Sequence, residues 1–146
     1  MAKTCILDAK TRGEDADFTV FDEFGEVVVY DTTSPENVVE RIRDCDIVIT
    51  NKVVLNGSNL QHAPLVKLIC VSATGTNNID LQYTQTRNIT VRNVAGYSTR
   101  SVVQHTFAML FYLLESLGYY DSYVKSGQYA ESKIFTHLDR ICYRQA

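Results

Sequence analysis

The chain has no tryptophan and, in 146 residues, only two prolines, Pro35 and Pro64. No Gly/Ser/Pro-rich linker divides it, and the length suits a single globular core. No stretch approaches the roughly 20 apolar residues that a membrane span needs. Met1-Ala2-Lys3-Thr4-Cys5 leads into a short apolar run without a signal-peptide core, so a cytoplasmic protein is expected. Positive charge is not in excess: 14 Lys and Arg against 17 Asp and Glu leave a net charge of −3. Without a basic stripe to neutralise phosphates, neither nucleic acid nor an anionic membrane surface is an expected partner. Cys5, Cys45, Cys70 and Cys142 form no CxxC pair and no zinc-spaced cluster. They read as small buried hydrophobes in a reducing compartment, and no metal is expected.

What is present is a repeated alternation. Short apolar, β-branched runs recur at Thr4 to Leu7, Val27 to Tyr30, Ile47 to Thr50, Leu68 to Ser72 and Ile89 to Arg92. Polar segments with helical spacing lie between them. Continuous apolar strands alternating with helices indicate an α/β fold, a doubly wound parallel five-stranded sheet covered on both faces. Thr33-Ser34-Pro35-Glu36 predicts a helix start, with the Thr33 hydroxyl as cap and Glu36 bonding back to the Thr33 N–H. Asp80 predicts another N-cap before Leu81.

The last third differs. From Ser98 to Leu117 the apolar residues, among them Val102, Phe107, Leu110 and Leu114, occupy almost the whole helical wheel. A helix apolar all round expects another domain or subunit against it. His105 inside it reads as a structural hydrogen-bonding residue. After Gly118 the chain turns aromatic and polar, with Tyr119, Tyr120, Tyr123, Tyr129 and Phe135. An extended arm that packs on a partner is expected there.

Three loops carry candidate chemistry. Ser72-Ala73-Thr74-Gly75-Thr76-Asn77-Asn78-Ile79-Asp80 follows the fourth strand. Ligands of doubly wound sheets bind beyond the carboxyl ends of the strands. A glycine at positive φ and consecutive backbone N–H groups there make an anion nest. An ordinary strand-to-helix turn has the same composition. Arg92-Asn93-Val94-Ala95-Gly96-Tyr97-Ser98 feeds the long helix. Ser98 or Thr99 caps it, and its positive dipole end faces a ligand or only solvent. Lys52, in Thr50-Asn51-Lys52, offers a cation to an anionic substrate, or is a solvated lysine at a strand end. The three loops should converge on one edge of the sheet.

These residues together resemble the D-isomer-specific 2-hydroxyacid dehydrogenase family, from Met1 to about Asp139. The most specific matches are Ala73 to Asp80, Asn93 to Thr99 and Ser101 to Met109. The resemblance implies a flavodoxin-like substrate domain over residues 1–99. It makes residues 100–146 an interdomain helix and dimer arm that begin an NAD-binding domain. It also implies a 2-keto acid/D-2-hydroxy acid oxidoreductase using NAD or NADP, and a homodimer joined through 101–135. By position, Thr74 and Gly75 would hold the substrate carboxylate, Lys52 and Ser98 would line the substrate side, and Val102 and Thr106 would face the nicotinamide. Gln104 stands where the family usually has Glu. No Gly-x-Gly-x-x-Gly turn exists among the seven glycines. The family's catalytic Arg, Glu and acid/base His lie beyond the match, and neither His105 nor His137 is assigned that role. The end Ile141 to Ala146 departs from the family, as after a frameshift or early stop. The expectation is therefore a truncated substrate-binding domain, inactive and without tightly bound cofactor by itself. The alternatives are a stand-alone carboxylate-binding module and a flavodoxin-like electron carrier. The second is disfavoured because its phosphate loop follows the first strand. A phospho-receiver needs an acidic pair, and only Asp8 follows the first strand here.

Overall fold

A computed structural model describes residues 1–134. Two compact units compose the chain, Met1–Tyr97 and a second beginning at Ser98. In the first, the apolar runs form five strands: β1 (Ala2–Ile6), β2 (Gly25–Val29), β3 (Ile47–Thr50), β4 (Leu68–Val71) and β5 (Thr90–Asn93). All pairings are parallel, in the order β2-β1-β3-β4-β5. Each expected strand is present within about two residues, the usual uncertainty of element boundaries.

Strand order decides where the connections lie. The chain steps from β1 outward to β2, then crosses back to β3 and proceeds the other way. Right-handed crossovers place those two sets of connections on opposite faces. On one face α1 (Val38–Ile42), α2 (Gly57–Leu60) and α3 (Leu81–Thr86) cover the larger core. Val38, Ile42, Leu60, Val48, Ile69 and Val71 are buried together there. On the other face the β1–β2 connection covers Ile6 and Ile49 with Phe18 and Phe21. The direction reversal between β1 and β3 opens a crevice beyond their carboxyl ends.

Local chemistry sets the helix starts, and one differs from expectation. Asp80 accepts from the Tyr83 N–H at 2.9 Å, as its cap position predicts. Asn56 caps α2 reciprocally with Asn59. Thr33, however, caps nothing. Its hydroxyl donates to the Leu7 carbonyl and accepts from Arg41 at 2.6 Å, tying the β2 exit to β1. The helical turn there starts one residue later, after Ser34, with Pro35 in its first turn and no side-chain cap. Cys5 and Cys45 are buried free thiols and Cys70 is half-buried. A Cys45 hydrogen bond and burial push the Cys5 thiol well above its ordinary pKa.

In the second unit α4 spans Thr99–Leu114, shorter than the expected helix. Ser116 enters the left-handed region at φ 49°, and α5 (Leu117–Lys125) begins anew. The expected extended arm is instead α5 and α6 (Gln128–Ser132). Its tyrosines stack at helical spacing, Tyr119 on Tyr123 at 6.2 Å. No residue of α4 is buried, and Leu113 is 72% exposed. His105 is exposed, and its imidazole has no hydrogen-bond partner among the described residues, contrary to its structural reading. No helix among the described residues is long and apolar enough to cross a membrane. Phe135, His137 and Cys142 lie outside the described residues.

Candidate functional site

The crevice is organised by an acid to which the sequence pattern assigns no role. Asp8, just beyond β1, is 4% exposed. Its carboxylate accepts the N–H groups of Asn51 at 2.9 Å and Lys52 at 2.6 Å, and the Thr50 hydroxyl at 3.3 Å. A buried carboxylate is costly unless saturated with donors, and this one is. It therefore pins the turn after β3. The only sequence signal is a lone Asp following a strand, since the donors that bond its carboxylate lie more than forty residues away.

The loop after β4 is tied on both sides. Asn78 donates to the Val53 carbonyl at 3.0 Å, joining it to the β3 turn. Asn93 donates to the Thr74 carbonyl at 2.7 Å, and the Thr74 hydroxyl to the Val94 carbonyl at 3.2 Å, joining it to the β5 exit. Among the described residues, none accepts a hydrogen bond from the backbone N–H groups of Thr74, Gly75 and Thr76. Thr74 and Gly75 are exposed.

The structure brings Lys52 and Gly75 together. With Asn51, Ala73, Asn77 and Asn78 they line a cavity of about 220 Å³ beyond β3 and β4. Lys52 also borders a larger cavity of about 680 Å³ over the β1/β3 crevice, beside Asp8, Thr11 and Thr33. Thr74 is not among the residues that line the smaller cavity. One expectation is corrected. Gly75 is not at positive φ; the left-handed glycine of these loops is Gly96, at φ 76°. A Cβ built on Gly75 meets nothing within 4 Å. The space beside Gly75 is therefore open, and its backbone conformation does not itself require a glycine.

Ser98, Val102 and Thr106 belong to the second unit. Ser98 occupies the N-cap position of α4 without a side-chain cap bond. Val102 and Thr106 stand one turn apart, both exposed, and the Thr106 hydroxyl donates to the Val102 carbonyl at 2.8 Å. These residues do not fit a whole dinucleotide. One hydroxyl is already committed, and no glycine turn supplies N–H groups for a pyrophosphate.

The family model for the D-isomer specific 2-hydroxyacid dehydrogenase catalytic domain matches residues 6–137. The chain belongs to that family. A Haemophilus influenzae relative carrying a 2-hydroxyacid dehydrogenase name is 44% identical over 110 residues, which is 75% of this chain and 35% of the relative. A glycerate dehydrogenase of Methylorubrum extorquens is 33% identical over 142 residues, covering 97% of this chain and 45% of that protein. Among solved structures, a D-lactate dehydrogenase of Aquifex aeolicus, complexed with NAD and lactic acid, superposes with a TM-score of 0.70 at 25% identity. That match covers 95% of this chain and 40% of the other. The chain thus spans less than half the length of these relatives.

Proposed function

We propose that the first unit binds the carboxylate of a small 2-keto or D-2-hydroxy acid at the Lys52–Gly75 cavity, as the substrate side of a D-2-hydroxyacid dehydrogenase. The observation that carries this is the run of N–H groups at Thr74, Gly75 and Thr76 that donate to no described residue, with Gly75 lining the same cavity as Lys52. Backbone donors and an ammonium are what a carboxylate requires, and charge-assisted bonds are the strong ones. The family resemblance further assigns Ser98 to the substrate side and Val102 and Thr106 to the nicotinamide of NAD or NADP. The division near residue 99 separates a substrate domain from the start of a cofactor domain.

Hydride transfer needs a bound dinucleotide, and the described residues do not make a site for one. The expected behaviour is carboxylate binding without tight NADH binding and without turnover. Calorimetric titration with pyruvate, glyoxylate and hydroxypyruvate tests the reading. Saturable heat with at least one acid, lost in Lys52→Ala, supports it; no heat with any of them from folded protein contradicts it. NADH fluorescence that is enhanced at micromolar chain concentrations would contradict the cofactor part.

A second element of the reading concerns association. Val102, Val103, Phe107, Phe111, Leu113 and Leu117 are all exposed. Soluble monomers rarely leave so continuous an apolar surface open. We infer that a second copy covers residues 101–135, and light scattering that returns a monodisperse monomer would contradict this.

A further inference from the structure

We propose that Arg12 is a positioning residue that sets the spacing between the two loops of the candidate carboxylate site. The proposal rests on the reading above. Arg12 belongs to a 3-10 turn, Ala9–Arg12, directly after Asp8. Its side chain is only 15% exposed. Nε and Nη2 both donate to the Ser72 hydroxyl, at 2.9 and 2.6 Å. Ser72 is the first residue after β4, the root of the Gly75 loop, and its hydroxyl donates to the Thr50 carbonyl at 3.2 Å. On its other side, Nη2 lies 4.0 Å from Asp8 Oδ1. Asp8 is the acid that holds the Asn51 and Lys52 N–H groups. One rigid guanidinium thus stands between the anchors of both loops. A lysine in its place has charge but no planar fork.

The arrangement is not explained by stability alone. Arg12 Nη1 is buried with no hydrogen-bond partner. Burial lowers the guanidinium pKa while Asp8 raises it, and the group stays charged at neutral pH. Removing one partner of a buried pair leaves the other charge uncompensated, but Asp8 keeps the donors of Asn51, Lys52 and Thr50 when Arg12 is replaced. Arg12→Met is therefore expected to fold while losing the link between Asp8 and Ser72.

Amide exchange of the full chain, followed by NMR without ligand and then with pyruvate, separates these roles. In Arg12→Met the amides of Asn51, Lys52 and Ser72 are expected to exchange about tenfold faster, with the Ile69 amide in the core unchanged. Pyruvate affinity is expected to fall about tenfold, as small misplacements of binding groups do. Arg12→Lys restores part of both. Ser72→Ala is a second variant that keeps the Arg12–Asp8 pair. There the Ser72 amide and pyruvate affinity alone should suffer. If either variant retains wild-type exchange at these amides and wild-type affinity, the positioning role is wrong while the site stands. If the wild-type chain shows no pyruvate response, the site reading falls and the positioning role falls with it.

Discussion

At the scale of single residues, acids of the same type do unequal work. Asp80 accepts one helix N–H at the protein surface. Its replacement by Ala costs about 1 kcal/mol, the ordinary worth of an N-cap. Asp8 is buried and saturates several donors at once. Asp8→Ala strands the half-buried Asn51 N–H and the buried Thr50 hydroxyl, and each unsatisfied buried group costs about 1–3 kcal/mol. Urea titration is expected to show Asp8→Ala losing about 3 kcal/mol and Asp80→Ala about a third of that. Equal losses would contradict this ranking. Asp80 is legible in the sequence because capping is local. Asp8 is not, because its burial and partners are made by the sheet order, which places β3 beside β1. Gly75 is legible as a loop glycine for the wrong reason: left-handed backbone belongs to Gly96.

At the scale of elements, the strands are the most readable part. Their apolar runs are continuous because both sheet faces are covered in the first unit, and no other element type explains runs so short. The region after Gly118 is helical rather than extended, and a signal for that exists. Asp121 precedes Lys125 by four residues, and the pair meets at 2.8 Å. Acid before base at that spacing marks a helix face. The aromatic composition masks it. Ser116 explains the early end of α4, since no local rule forces a serine into the left-handed region. The loop joining α1 to β3 also carries a pH-sensitive contact. Asp46 accepts the Lys3 N–H at 3.0 Å and the Lys67 ammonium at 3.1 Å. The Lys3 N–H first, then Lys67, holds its carboxyl below the ordinary range. A carboxyl depressed on folding contributes stability above its unfolded pKa, near 4, and loses it as the pH falls through the lower folded value. The unfolding midpoints of wild type and Asp46→Asn should therefore differ at neutral pH and converge as the pH is lowered below about 4. A constant gap across that range would contradict the assignment.

At the scale of the whole molecule, the family match covers residues 6–137 and less than half of the relatives' length. The first unit supplies a switch-point crevice, a lysine and an open run of backbone donors. The relatives are more than twice as long as the part matched here. Both the absent glycine turn and the open apolar surface of α4 are visible in the sequence, the first as a motif and the second as a periodicity. The start of the second unit is marked in the sequence by the change to an all-round apolar run at Ser98. Mixed with NADH and hydroxypyruvate, the chain is expected to leave NADH absorbance unchanged, and steady oxidation at catalytic chain concentrations would contradict that.

The central claim is that a carboxylate sits on the loop after β4. NMR of the isotope-labelled chain, titrated with pyruvate, tests it most directly. The account predicts saturable shifts concentrated in the amides of Thr74, Gly75 and Thr76 and in the Lys52 turn, with the opposite sheet face around Phe18 and Phe21 silent. Saturable shifts confined to residues outside those two loops, or none at all from a folded chain, would contradict it.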